Sequence, residues 1–279
     1  MHQSEHEAIR WQTGVWDTIS DIYERQIDRR FAPVVEHTLT RAGLASGHSV
    51  LDLGTGTGSA ALKAAQLVAP GGSVLGVDLS AEMLEIAHGR AERAGLRNVS
   101  FREGRAEELP AEDDTFDAIV SSLCFMYVID RAAGAAESAR VLKPSGRFVA
   151  AVWGGPDECD IVLFQSTAGS FAPPPPVTGV GPGALADPSS LVAHLRDAGI
   201  EARVESETLS FEFPDFETAW DVLAGVTTAK LTDERRDEAK AAVRDVMWPD
   251  PNEPRVFVNT TQFVVGTRIE SAARSRSRA

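Results

Sequence analysis

Val50-Leu51-Asp52-Leu53-Gly54-Thr55-Gly56-Thr57-Gly58 is the stretch that decides the fold of this 279-residue chain. Val50, Leu51 and Leu53 read as a buried strand. The run then breaks into alternating glycines, and a helix is expected from about Ser59. Glycine has no Cβ, so such a loop can turn sharply and let a ligand lie on bare backbone. A helix that starts there directs unpaired N–H groups into the same crevice. Twenty residues after Gly58, Ser73-Val74-Leu75-Gly76-Val77-Asp78 reads as a second buried strand ending in a carboxylate. An acid at that place can accept hydrogen bonds from both hydroxyls of a ribose.

Loops of this kind serve two cofactor classes. A dinucleotide loop needs G-x-G-x-x-G, and here Ser59 stands where the third glycine belongs. The loop also carries no basic residue for a pyrophosphate. Both points favour a nucleoside without phosphates and leave an NAD-dependent oxidoreductase as the weaker rival.

Three further segments follow in order: Gly104-Arg105-Ala106-Glu107-Glu108-Leu109-Pro110, Thr115-Phe116-Asp117-Ala118-Ile119-Val120-Ser121-Ser122, and Arg140-Val141-Leu142-Lys143-Pro144-Ser145-Gly146-Arg147-Phe148. With the glycine loop, they make residues 48–153 resemble the class I S-adenosylmethionine-dependent methyltransferases, in particular the ubiquinone/menaquinone C-methyltransferase subgroup. The resemblance implies S-adenosyl-L-methionine as cofactor. Gly54, Thr55, Gly56, Thr57 and Gly58 would hold its methionine part, and Asp78 its ribose. Leu79 and Met83 would pack on the adenine, and Gly104, Arg105 and Ala106 would meet the adenine edge. Ser121 and Ser122 complete the set, with Ser122 beside the methionyl group. Arg105 departs from the family, which usually has Asp or Asn there to accept from the adenine amino group. Arginine cannot accept, so backbone contact or ring stacking is expected instead. Asp52 either anchors a cofactor ammonium group or braces the loop.

Strands alternating with helices over 48–153 indicate an α/β parallel sheet covered on both faces, and the resemblance implies the rest: a doubly wound, Rossmann-like seven-stranded sheet, mostly parallel with an antiparallel edge hairpin, plus N-terminal helices and an inserted helical cap. The expected divisions are 1–45 as an N-terminal helical cap, 46–154 as the cofactor-binding core, 155–269 as the substrate-side half, and 270–279 as a disordered tail. Within them, a helix is expected from about Pro33 to Ala42, closed by Gly43. Another should run over 81–94 after the cap Ser80. The proline- and glycine-rich run 171–188 should be an irregular loop of the kind that often serves as a lid. Asp187-Pro188 should open a helix closed by Gly199. Helices are expected near 215–229 and 232–247, between a strand holding Leu209, Phe211 and Phe213 and a last strand from Val256 to Val265.

A net charge of −14 argues against a nucleic-acid partner. No apolar run suits a membrane helix, and the polar start is no signal peptide. Six scattered histidines and two cysteines show no metal-ligand spacing. The expected setting is cytoplasmic, as a monomer or homodimer acting on an apolar small molecule. Trp16, Tyr23, Phe125, Met126 and Tyr127 are the candidate substrate walls, with Phe164 and Phe171 further out; Trp220, an aromatic of the same set, is expected with Trp248 to fill the core of the late helices. The N-terminal aromatics and the late helices are expected to cover the crevice. No residue stands out as a catalytic base. The reading is methyl transfer to O or C of a quinone-, aromatic- or polyketide-like acceptor. A scaffold, cyclase or lyase that retains the cofactor is the alternative.

Overall fold

A computed structural model describes residues 3–270. Five strands run parallel: β1 (Ser49–Leu53), β2 (Ser73–Asp78), β3 (Val99–Glu103), β4 (Phe116–Ser122) and β5 (Leu142–Trp153). Two long strands, β6 (Ile200–Phe213) and β7 (Arg255–Arg268), pair antiparallel, and β7 also joins β5. The order across the sheet is β3-β2-β1-β4-β5-β7-β6. This is the mostly parallel seven-stranded sheet with an antiparallel edge that the sequence predicts.

The chain leaves β1 in one lateral direction for β2 and later returns on the other side as β4. In open α/β sheets, ligands bind at such a switch, outside the carboxyl ends of the strands. Val50, Leu51, Ile119, Val120, Phe148 and Val149 are fully buried, because helices cover both faces of the parallel strands. The helices in chain order are α1 (Gln3–Ile22), α2 (Asp28–Ala42), α3 (Ser59–Leu67), α4 (Ala81–Arg93), α5 (Arg131–Val141), α6 (Asp160–Gly169), α7 (Ser189–Asp197), α8 (Phe216–Leu223), α9 (Gly225–Thr228) and α10 (Asp233–Met247).

Local chemistry starts these helices where the sequence says it should. The side chains of Ser80, Asp130, Asp215 and Thr232 each accept a backbone N–H in the first turn of α4, α5, α8 and α10. Gly43 closes α2 in the left-handed conformation, at φ 61°.

Several boundaries differ from expectation. The N-terminal region carries no break before Pro33. Ile27 keeps helical angles (φ −79°, ψ −47°), and α1 passes into α2 through one wide turn, Tyr23–Ile27, of π geometry. The helix expected over 215–229 divides at Ala224 into α8 and α9. Helix α7 begins one residue after Pro188, with Asp187 accepting from the Ser189 N–H. Helix α6 lacks a one-sided apolar stripe. It buries Ile161, Val162, Phe164, Gln165 and Ala168 around several sides, so periodicity does not announce it. Residues 274–278 and most of the predicted tail lie outside the described residues.

The late helices build a core of their own rather than a roof. Phe164, Phe216, Trp220 and Trp248 pack with Phe257 between α6, α8, α10 and the β6–β7 hairpin. Phe257 is fully buried at the centre, 5.0 Å from the Phe213 ring and 5.8 Å from Trp248. Phe257→Ala is expected to lower folding stability by about 3–5 kcal/mol, read from the midpoint of urea unfolding.

Candidate functional site

The glycine loop crosses from β1 to the tip of β2. The N–H groups of Gly54 and Thr55 both donate to the Val77 carbonyl, at 2.8 and 3.0 Å. Gly54, Gly56 and Gly58 all take positive φ (74°, 52° and 86°), a region that L side chains avoid. Gly54 has a second constraint, since a Cβ there would lie 2.2 Å from Cys124 Sγ. The thiol thus packs directly on the loop backbone.

Asp78 ties the two strand tips together. Its Oδ2 accepts the Gly56 N–H at 2.8 Å, and its Oδ1 accepts the Ser80 N–H at 3.0 Å. Each oxygen keeps a further acceptor position. Burial raises this carboxyl above the usual carboxylate range, against the pull of the Ser80 and Gly56 amides.

Around these groups lies a crevice of about 830 Å³, counting its open mouth. Gly54, Gly56, Asp78, Leu79, Met83, Gly104, Arg105, Ala106 and Ser122 line it, as do Trp16, Tyr23 and Tyr127. Sequence reasoning therefore brings together most of the cofactor set and three of its five candidate wall residues. The cradle suits a nucleoside. It offers bare backbone at Gly54 and Gly56, a carboxylate with spare acceptor capacity at Asp78, and an apolar slot beside Leu79, Met83 and Ala106.

Other expected residues sit behind the wall. Asp52 is 1% exposed and accepts from the Thr55 hydroxyl at 2.7 Å, so both brace the loop and neither lines the crevice. Burial, opposed by that hydroxyl, pushes the Asp52 carboxyl up to about 7. The Thr57 hydroxyl donates to Asp28 Oδ2 at 2.6 Å, and Arg90 reaches both Asp28 and the Thr57 carbonyl. Thr57 thus fastens the loop to α2 and α4, and its hydroxyl does not face the crevice. Gly58 packs on Ala87 of α4, and Ser121 is fully buried.

Phe125 and Met126 are buried and absent from the crevice wall, with Phe125 set edge-on to Phe148. Phe164 and Trp220 belong to the aromatic core described above. Phe171 meets the Arg235 guanidinium 5.5 Å from its ring. The 171–188 segment lines no part of the crevice either. Arg131 holds it against the back of the Phe125–Tyr127 turn through the carbonyls of Met126 and Gly179.

The cover comes from the N-terminus instead. Ile9, Gln12, Trp16 and Tyr23 form one wall, and Gln12 donates to the Tyr127 carbonyl at 2.8 Å. Trp16 stands edge-to-face on Tyr127 (4.9 Å) and on Tyr23 (6.4 Å). Tyr23 opens the π turn, a distortion often found at functional sites. Opposite, Leu123 takes a left-handed backbone (φ 62°). Such a conformation costs roughly 1–3 kcal/mol and concentrates at functional sites. It turns the chain so that Cys124 meets Gly54 and Tyr127 enters the crevice. Glu107, also in the wall, is fixed by the N–H groups of Ile129 and Asp130. Sequence reasoning placed Cys124 at the crevice with the rest of the segment after β4 but missed Ile9, Gln12 and Glu107 as wall residues. The helical stripe through Trp16 was the available signal for the first two.

A Rossmann-like sheet with a nucleoside cradle at its switch point defines the class. Residues 44–154 match the model of the methyltransferase domain family. A ubiquinone/menaquinone biosynthesis C-methyltransferase of Marinomonas sp. is 33% identical over 143 residues, 51% of this chain and 56% of that protein. An arsenite methyltransferase of Aquipseudomonas alcaligenes is 44% identical over 115 residues, 39% of this chain and 33% of that protein. The chain spans about half the length of the curated relatives it matches first. Among solved structures, the YcgJ protein of Bacillus subtilis superposes with a TM-score of 0.64 at 23% identity, covering 86% of this chain and all of that one. A SAM-dependent methyltransferase of Aquifex aeolicus gives 0.52 at 20% identity, covering 84% and 89%. These structural neighbours share the fold of the chain.

Two outcomes are expected from the loop geometry. Gly54→Ala should cost roughly 1–3 kcal/mol through overlap with Cys124 and about 1 kcal/mol more through its backbone conformation. Adding Cys124→Gly should recover only the first part in urea unfolding. Asp52, raised to about 7 in the fold, takes up a proton on folding between pH about 4 and 7. Stability should therefore fall as pH rises through that window, by roughly 1.4 kcal/mol per pH unit at most. Asp52→Asn should remove that slope in unfolding midpoints measured across the range.

Proposed function

We propose that the protein transfers the methyl group of S-adenosylmethionine to O or C of an apolar small molecule. The carrying observation is Asp78, which holds the Gly56 amide while keeping acceptor positions toward the crevice. In this reading Asp78 takes the ribose hydroxyls, the Gly54–Gly56 backbone carries the methionine part, and Leu79, Met83 and Ala106 flank the adenine. Arg105 meets the adenine edge through its backbone, since its side chain lies 3.5 Å from Glu107. Bound S-adenosylmethionine supplies an electrophilic methyl on a sulfonium. Trp16, Tyr23 and Tyr127 then align the acceptor and exclude water, and alignment can contribute on the order of 7 kcal/mol in favourable cases.

The wall chemistry narrows the acceptor. Apolar and aromatic side chains dominate it, which suits a flat small molecule. The Marinomonas relative, named for quinone biosynthesis, fits that chemistry. Arsenite fits less well, because As(III) prefers several thiolates. Cys124 is the crevice thiol, burial raises it, and the chain's other cysteine, Cys159, is buried elsewhere. Both cysteines are free, as a cytoplasmic protein would keep them. No helix among the described residues is long and apolar enough to cross a membrane.

One observation supports the cofactor-retaining scaffold or cyclase as a second reading. No histidine or unengaged carboxylate stands among the described residues lining the crevice. Accumulation of S-adenosylhomocysteine with an acceptor present decides against it. The primary reading is tested by calorimetry with S-adenosylhomocysteine. Charged hydrogen bonds contribute about 1.5–3 kcal/mol each, so Asp78→Ala should weaken binding at least about tenfold. Unchanged affinity would remove Asp78 from the ribose.

A further inference from the structure

The chain has two tyrosines, and both line the crevice. Both rings stand edge-to-face on the same tryptophan, Trp16, from elements distant in sequence. Tyr23 comes from the π turn between α1 and α2, Tyr127 from the short turn after β4. Among the described residues neither hydroxyl has a hydrogen-bond partner, although most polar groups around them do. Gln12 is bonded to the Tyr127 carbonyl, Asp78 to Gly56 and Ser80, and Glu107 to Ile129 and Asp130. Two O–H donors not engaged by the protein, both on the crevice wall, are placed to donate to a ligand.

We propose that Tyr23 and Tyr127 together donate hydrogen bonds to an anionic oxygen of the acceptor, so that the site takes its substrate as a phenolate or enolate. The proposal rests on the methyltransferase reading and names its substrate class. Burial raises both phenols, with Asp28, Tyr127 and Asp78 adding to the effect at Tyr23. They stay protonated near neutral pH, able to donate and unable to take a proton. The Cys124 thiol is likewise raised. The acceptor's proton therefore leaves to solvent, and the two phenols stabilise the oxygen charge left behind. In the transfer, an electron pair on the acceptor's oxygen, or on the carbon conjugated with it, forms the bond to the methyl carbon. The carbon–sulfur bond breaks with its pair retained by sulfur. A neutral thioether and a neutral methylated acceptor result, with no oxidant or reductant required.

The test uses 4-nitrophenol, whose phenolate absorbs visible light, titrated with the full-length protein in the presence of S-adenosylhomocysteine. Wild-type protein should shift ionisation of the bound probe to lower pH by about one unit, a tenfold change in its ionisation constant. Tyr23→Phe and Tyr127→Phe should each reduce the shift, and the double variant should abolish it. All three should keep S-adenosylhomocysteine affinity and unfolding midpoint. A wild-type titration no different from free 4-nitrophenol, or a shift that survives in the double variant, overturns the proposal. Failure of the wild type to bind S-adenosylhomocysteine in calorimetry overturns the methyltransferase reading itself, and this inference with it.

Discussion

The hydrogen bond from the Gly56 amide to Asp78 joins the tips of two neighbouring strands, and the crevice depends on it. It can form only because the loop after β1 bends back through left-handed backbone at Gly54, Gly56 and Gly58. The same bend brings Gly54 under Cys124 and sends the Gly54 and Thr55 amides to the Val77 carbonyl. A side chain at Gly54 would push the β1 loop off the segment that follows β4. One short turn therefore sets the separation of three strand ends, and with it the floor of the site.

Behind that floor, a second layer of polar contacts fixes the loop from outside. Asp52 holds Thr55, and Asp28 with Arg90 holds Thr57. Asp28 begins α2 immediately after the π turn that carries Tyr23 into the crevice. Loop position and aromatic wall are thus anchored through adjacent residues of one rod. The glycine loop and the N-terminal cover form a single mechanical unit, although the sequence separates them.

The parallel core was legible because its signals are local. Buried strands read as apolar runs, Ser80 and Asp130 announce their helices, and a carboxylate, Asp78, ends β2 as the sequence predicts. Less legible was whatever long-range packing decides. Thr57 lies in the loop, yet its hydroxyl turns outward because Asp28, from a distant helix, accepts its proton. Phe125 and Met126 flank Tyr127 in sequence, but the left-handed turn at Leu123 sends them into the core and Tyr127 alone into the crevice. Phe164 looked like a wall by composition. It packs instead on Trp220 and on Phe257, a partner that only the β6–β7 hairpin brings near. Helix α6 passed unseen because burial on several sides erases its periodicity.

The central claim is that Asp78 and the bare backbone of the glycine loop share one nucleoside. A crystal structure with S-adenosylhomocysteine tests it most directly. The account predicts both ribose hydroxyls within hydrogen-bond distance of the Asp78 carboxylate, with the amino-acid portion lying along Gly54 and Gly56. A nucleoside bound away from the ends of β1 and β2, or a sugar out of reach of Asp78, would contradict it.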